Sequence, residues 1–340
     1  MDHKIALVTG FSGQLGGYLS KLLLDKNYRV YGMVRSINRI DSNFIADSGL
    51  QEVQLIEGDV LDGNGLIDII KEIKPNECYN LAANSHVGYS FQHAEYTVET
   101  TGVGALRLLE AIRLYNPSTR FLQAGSSDQW GNIKDVFRNE QTCFSPMSPY
   151  GAAKVLAYNF VKMYREAYGI YGCTALMSNN ESPRRSNRFV TRKITEWIGK
   201  YANGYIMPNL KLGYLDAKRD WGDAKSYSEA MFLMLQQPNP KDYAIGTGIA
   251  RSVREFCEIA FKRANIDIEW YGKGINERGL DRKTKDVLIE IDPKLYRPTD
   301  VPEMTIDSRL AKSELGWKPQ MSFHDLVYWM VDEDIRIYKL

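Results

Sequence analysis

Tyr150 and Lys154 stand four residues apart in the run Tyr150-Gly151-Ala152-Ala153-Lys154. On a helix, that spacing puts both side chains on one face. A tyrosine, with an ordinary pKa of about 10, is a poor base at neutral pH. A neighbouring ammonium favours its phenolate, which can then take a proton from a hydroxyl. The pattern is common by chance, and two upstream features give it weight. Ser126-Ser127-Asp128 precedes it. Near the start, Gly10-Phe11-Ser12-Gly13-Gln14-Leu15-Gly16 follows a short apolar run and opens a helical pattern. Gly10, Gly13 and Gly16 permit a tight turn, close approach to a pyrophosphate and close helix packing, with the helix N-terminus facing the anion. A bound nicotinamide cation would further favour the Tyr150 phenolate. Arg35, just past the second apolar run, suits the 2′-phosphate of NADP better than the 2′-hydroxyl of NAD. Asp59, after the third run, is placed to meet the adenine edge.

The elements that must hold these residues follow an alternating rhythm. Short apolar runs at Ile5–Thr9, Arg29–Val34, Val53–Ile56, Tyr79–Ala83 and Phe121–Ala124 predict strands. Helical spacing marks Gln14–Leu24, Leu66–Ile73, Val103–Leu114 and Ala153–Tyr164. Strands alternating with helices predict an α/β fold, a Rossmann-type doubly wound parallel sheet, with a smaller C-terminal α/β domain. The expected division is 1–177 for the NADP-binding domain and 178–340 mainly for the substrate, with later segments free to return to the sheet. Further helices are expected at Val253–Ala264 and Phe323–Tyr338.

Composition narrows the class. The 340 residues are 44% hydrophobic and 25% charged, ordinary values for a globular chain. Lys plus Arg is 43 and Asp plus Glu is 42, a net charge of +1 that argues against a nucleic-acid or polybasic membrane binder. No run approaches the roughly 18 apolar residues of a membrane span. The opening residues do not read as a signal peptide. Cys78, Cys143, Cys173 and Cys257 are scattered and the four histidines lack metal spacing, so no disulfide framework or metal site is expected, and a cytoplasmic location fits.

With the glycine loop, the serine and Tyr150-x-x-x-Lys154 in place, the chain resembles the extended short-chain dehydrogenase/reductase superfamily. Longer segments are more specific: Asn80 to Gly88, Asn179 to Arg185, Phe189 to Lys193, Leu215 to Gly222, and Tyr296 to Val301. They look like the GDP-mannose 4,6-dehydratase family over about residues 4 to 330. The resemblance implies tightly held NADP and a GDP-hexose that loses water. Tyr150 would take the O4 proton, and Lys154 would hold the cofactor ribose. Ser126 would bond O4, and Asp128 would stand where the family has its glutamate base. Further cofactor contacts are implied at Ser12, Gln14, Leu15, Val60, Leu81, Ala82, Ala83, Ser85, Tyr96, Asn180 and Arg185. Substrate contacts are implied at Ser85, Ser127, Asn179 and Val190, with Lys193, Arg219 and Arg297 as phosphate clamps. A homodimer or homotetramer is implied, with Val103–Leu114 and Ala153–Tyr164 as interface helices.

Several residues depart from the family pattern. Asp128 is one methylene shorter than glutamate, a retreat of up to roughly 1.5 Å. Asn180 replaces a histidine, Leu15 an aspartate, Tyr214 an asparagine, Asp223 a histidine and Ser186 a glycine. These changes are expected to cluster around the substrate and nicotinamide, with Tyr214 and Trp130 reshaping the sugar pocket. The preferred expectation is a dehydratase for GDP-mannose or a modified form such as a GDP-heptose. The alternatives are a GDP-4-keto-sugar reductase or epimerase, which needs no carboxylate base, and a non-catalytic NADP-binding protein.

Overall fold

A computed structural model describes residues 3–133, 137–295 and 303–339. Seven strands form one parallel sheet: β1 (Ile5–Thr9), β2 (Arg29–Val34), β3 (Gln54–Glu57), β4 (Glu77–Asn80), β5 (Arg120–Ala124), β6 (Gly172–Met177) and β7 (Tyr243–Ile245). Their spatial order is β3-β2-β1-β4-β5-β6-β7, and every neighbouring pair is parallel. This is the doubly wound order, whose ligand crevice lies beyond the strand ends where the order reverses, beside β1 and β4.

Both sheet faces are covered, which is why β1 is apolar from Ile5 to Val8. Ala6 and Val8 pack to one side with Leu19 and Leu23 of α1 (Gln14–Asp25). Leu7 packs to the other with Leu108 and Ile112 of α2 (Gly104–Tyr115) and Val161 of α3 (Pro149–Tyr168). The start of α3 is sharply fixed. Ser148 caps it by accepting the Gly151 N–H at 3.0 Å, with proline at the first turn. The cap sets the first turn, which carries Tyr150.

Two strands of this sheet lie outside the apolar runs expected to be strands, β6 and β7. The strand expected over Tyr79–Ala83 ends at Asn80. Thr9 Oγ1 accepts the N–H groups of both Leu81 and Ala82 at 3.1 Å, taking them out of the ladder and into the crevice wall. The helix expected to begin at Val103 is preceded by Ala94–Val98 and a π turn over Glu99–Val103. There Thr97 and Thr101 turn inward to hold Asn84.

The remaining elements cover the crevice. α4 (Val190–Ala202), the helix Val253–Arg263 and the final helix Phe323–Ile337 share a second apolar core around Ile198, Phe256 and Met330. Two small sheets join them. One centres on Lys218–Asp223, which also pairs with Asn179–Glu181; the other contains Leu210–Leu212. Between these segments the chain returns to the main sheet. α5 (Ala224–Gln236) packs Tyr227 and Met231 into the sheet core, and β7 adds the outer strand. Among the described residues, no helix is long and apolar enough to cross a membrane, and no cluster of metal-ligating side chains occurs.

Candidate active site

One cavity of about 980 Å³ runs from the glycine loop across the end of the sheet to the second core. Every sequence-predicted site residue within the described residues lines it. Arg297 lies outside the described residues.

At one end the backbone forms the wall. Gly10 has φ of +65°, and a Cβ there would lie 2.8 Å from Leu81 and Ala82 backbone atoms. A Cβ on Gly16 would lie 2.4 Å from the Phe11 carbonyl oxygen. Gly13 caps α1 with no side-chain hydrogen bond, so the first N–H groups of the helix face the cavity without a side-chain cap. This cradle fits a dinucleotide pyrophosphate. Arg35, further along the wall, donates to the Tyr96 hydroxyl at 3.2 Å and leaves the rest of its guanidinium at the surface. Asp59 accepts the Leu61 N–H at 3.0 Å, fixing a turn beside Val60. Gln14 reaches across the cavity. Its amide donates to the Asn180 carbonyl and side-chain oxygens at 2.9 and 2.7 Å, and it accepts the Ser182 hydroxyl at 2.6 Å.

The middle holds the titratable groups. Ser126 Oγ donates to Asp128 Oδ2 at 3.0 Å and accepts the Asp128 N–H at 3.2 Å. Tyr150 lines the cavity beside them. Burial pushes Tyr150 well above its ordinary pKa, and the negative charge of Asp128 adds to this; the Ser126 hydroxyl and Arg185 only partly oppose it. Burial pulls Lys154 down to about 8, against the attraction of Asp128. Lys154 Nζ donates to the Ala124 carbonyl at 2.6 Å and lies 5.7 Å from the Tyr150 ring centre. The ammonium expected to lower the tyrosine is therefore occupied by backbone, and the cation that acts on the hydroxyl is Arg185. Arg185 is itself anchored, with its guanidinium 3.5 Å over the Phe189 ring and Nε 3.4 Å from buried Glu181.

At the other end, side chains from separate elements converge. Lys193 rises from the first turn of α4, beside Val190, and donates to the Lys211 carbonyl at 2.6 Å. Partial burial holds it below the usual lysine pKa. Arg219 donates to the Lys218 carbonyl at 2.8 Å. Strand alternation sends its neighbour Asp220 to the opposite face, where the carboxylate accepts from Thr247, Gly248 and Ile306. The adjacent pair is therefore not a surface ion pair. Asn179, Ser127 and Ser85 complete the wall between this end and Tyr150. Lys211, Arg188 and Lys294 also line the cavity and were not anticipated. Lys211 had a signal, since alternation in Leu210-Lys211-Leu212 turns it away from the two buried leucines; Arg188 and Lys294 lie in segments with no periodicity to place them.

Two expectations about the departures are corrected. Trp130 is fully buried against Leu176, Ala244 and Ile306 and does not touch the cavity. Asp223 caps α5, accepting the Ser226 N–H and hydroxyl at 2.8 and 2.6 Å. Ser186 likewise serves a turn, accepting the Arg188 N–H. Leu15, Asn180, Tyr214 and Asp128 do line the cavity.

A parallel doubly wound sheet, a glycine cradle at its switch point and a tyrosine–lysine pair beside it define a dinucleotide-dependent enzyme of the Rossmann class. The family described as GDP-mannose 4,6 dehydratase matches residues 7–330. The chain is 44% identical to the GDP-mannose 4,6 dehydratase of Drosophila melanogaster, covering 99% of this chain and 87% of that one. It is also 44% identical to that of Homo sapiens, covering 99% and 93%. Among solved structures it is similar to the UDP-glucose 4-epimerase of Thermotoga maritima, with TM-score 0.82 and 21% identity over 96% and 97% of the two chains, a likeness of fold. The chain belongs to the GDP-mannose 4,6-dehydratase family.

Proposed function

We propose that this chain is an NADP-dependent GDP-sugar 4,6-dehydratase that turns GDP-mannose, or a modified GDP-mannose such as a GDP-heptose, into the GDP-4-keto-6-deoxy sugar. One observation carries the reading. Ser126 and Asp128, hydrogen-bonded to each other, line the cavity with Tyr150 midway between an anion-binding glycine cradle and a basic cluster. In a dehydratase, hydroxyl, base and cofactor meet at one sugar between a dinucleotide and a diphosphate.

Gly10, Ser12, Gly13, Gln14, Leu15 and Gly16 would hold the pyrophosphate, with Arg35 and Tyr96 at the 2′-phosphate and Asp59 and Val60 at the adenine. Leu81, Ala82, Ala83 and Ser85 would line the path to the nicotinamide, where Asn180 and Arg185 stand. Bound NADP would supply the hydride chemistry at C4 and C6. Tyr150 takes the O4 proton while Ser126 orients that hydroxyl. Lys154 would hold the cofactor ribose. Asp128 removes the C5 proton once C4 is a ketone. Lys193 and Arg219 clamp the diphosphate, with Arg297 assigned by the same resemblance, and Asn179, Ser127 and Val190 contact the GDP-sugar.

The cofactor is assigned chiefly to residues 1–177 and the GDP-sugar chiefly to 178–340. A homodimer or homotetramer is supported by the exposed Leu114 and Tyr115 on α2 and Met163 and Tyr168 on α3. Light scattering on a sizing column tests it; a single 38.8 kDa species excludes it.

The decisive experiment incubates the protein and NADP⁺ with GDP-mannose and weighs the nucleotide sugar. Loss of one water is expected. An unchanged mass rules out GDP-mannose and sends the assay to GDP-heptoses. The second reading, a GDP-4-keto-sugar reductase or epimerase, is favoured by the shortened Asp128 and its bond to Ser126. NADPH consumption with a 4-keto sugar, without dehydration of any GDP-sugar, would establish it.

A further inference from the structure

Glu181 is a carboxylate only 1% exposed, set in the cavity wall, and no step of the dehydration uses it. A charge so buried is costly unless paired. Both of its partners meet one oxygen. Thr191 Oγ1 donates to Glu181 Oε2 at 2.6 Å, and Arg185 Nε lies 3.4 Å from the same atom. Burial pushes the Glu181 carboxyl up, and these same two residues oppose the rise by favouring its charged form. Strand alternation explains why Glu181 is the residue so placed. It shares a face of the Asn179–Glu181 strand with Asn179, while Asn180 between them turns the other way to Gln14.

The two partners lead toward opposite ends of the cavity. Arg185 shares the middle of it with Tyr150, its guanidinium 3.5 Å over the Phe189 ring. Thr191 is the second residue of α4, and the Phe189 carbonyl accepts the Lys193 N–H at 2.9 Å. The turn that Glu181 grips through Thr191 is therefore the one that presents Val190 and Lys193 to the cavity. The body of α4 is anchored separately. Arg192 Nε donates to the Pro183 carbonyl at 2.9 Å, and its Nη1 lies 2.8 Å from Asp334 Oδ1 on the final helix. Loss of a Glu181 contact should thus shift side chains at the first turn and leave the helix docked.

We propose that Glu181 is a positioning residue with two separable arms: its charge holds Arg185 in place for the cofactor, and its bond from Thr191 holds the first turn of α4 in place for the GDP diphosphate. This deepens the dehydratase reading and rests on it for the identity of the two ligands. A carboxylate that only completes the core would have no reason to divide its effects between them.

The test is a pair of calorimetric titrations on the full chain, one with NADP⁺ and one with GDP. Glu181→Gln keeps an acceptor for Thr191 and removes the charge. It is expected to weaken NADP⁺ by about tenfold and leave GDP within about threefold of the parent. Thr191→Val removes the hydroxyl and keeps the ion pair. It is expected to do the reverse, with GDP weaker by about tenfold and NADP⁺ within about threefold. Thr191→Ser, which restores a hydroxyl, should bring GDP back to within about threefold of the parent. Turnover gives a second reading: Glu181→Gln should act mainly on kcat, and Thr191→Val mainly on KM for GDP-mannose.

The proposal is overturned if each variant weakens both ligands alike, or if neither weakens its own. Should Glu181→Gln fail to fold, the threonine pair still decides, because parental GDP affinity in Thr191→Val removes one arm and with it the proposal. A parent that binds both ligands and dehydrates no GDP-mannose counts against the dehydratase reading, while the titrations still decide the two arms. A parent that binds no GDP overturns both.

Discussion

The cofactor end of the cavity is shaped by backbone, whereas the substrate end is shaped by side chains on elements far apart in sequence. Gly10, Gly13 and Gly16 act within seven residues; Gly10 and Gly16 lack a Cβ where Leu81, Ala82 and Phe11 crowd in, and Gly13 sits against the Gly10 carbonyl. Lys193, Arg219 and Lys211 come from α4 and two separate small sheets, brought together by a second core around Ile198 and Phe256. A backbone site tolerates little change and keeps its cofactor. A side-chain site can be retuned one residue at a time. Tyr214 and Asp128 are departures at the retunable end and in the middle; at the cofactor end the departures, Leu15 and Asn180, are changes of side chain, and the cradle keeps all three glycines.

The largest expected effect tests the group between the two ends. Tyr150→Phe should lower kcat by about 10²- to 10⁴-fold, with NADP affinity changed only a few-fold by calorimetry. A comparable loss of NADP affinity would mean that Tyr150 belongs to the cofactor end. Next is Gly16→Ala, whose methyl must displace the Phe11 carbonyl. We expect a cost of about 1–3 kcal/mol in thermal unfolding and weaker NADP binding, with GDP-sugar affinity spared. Lys193→Ala and Arg219→Ala should do the reverse, each raising KM for the GDP-sugar by about 10- to 100-fold while leaving NADP affinity alone. If either weakens both ligands equally, the contrast between the two ends is wrong.

Two smaller effects sharpen the contrast. Lys154 should lose its proton as pH rises through about 8. The ammonium is the form that binds, so kcat/KM in the free protein should fall above that pH, and Lys154→Arg should flatten the alkaline limb. A profile that is flat to pH 9 would show that Lys154 keeps its charge despite burial. Arg35→Ala removes an exposed cation, and the preference for NADP over NAD should shrink by a few-fold, within about 1 kcal/mol. An unchanged preference would assign the 2′-phosphate elsewhere.

Legibility in the sequence followed the same divide. The glycine turn and the Tyr150–Lys154 spacing are local, so their geometry follows from a few consecutive residues. Trp130 was misplaced because it follows a tight turn, Ser127–Gln129. That turn puts Ser127 and Asp128 on the cavity and sends Gln129 and Trp130 into the core. Asp223 had a readable signal, an aspartate three residues before a serine at a helix start, and the helix cap took precedence over the pocket. β7 is only three residues long, too short for a period-two pattern to announce it.

The return of the chain to the main sheet at α5 and β7 has a practical consequence for dissection. All six residues of β6 are buried, and β7 supplies its outer hydrogen-bonding partner. A fragment ending at Met177 would carry every glycine of the cradle and both Tyr150 and Lys154. It would also expose an apolar strand with an unpaired edge, a template for self-association. Expressed alone, that fragment should aggregate, and a shortened version that stays soluble will have to bring residues 224–245 with it.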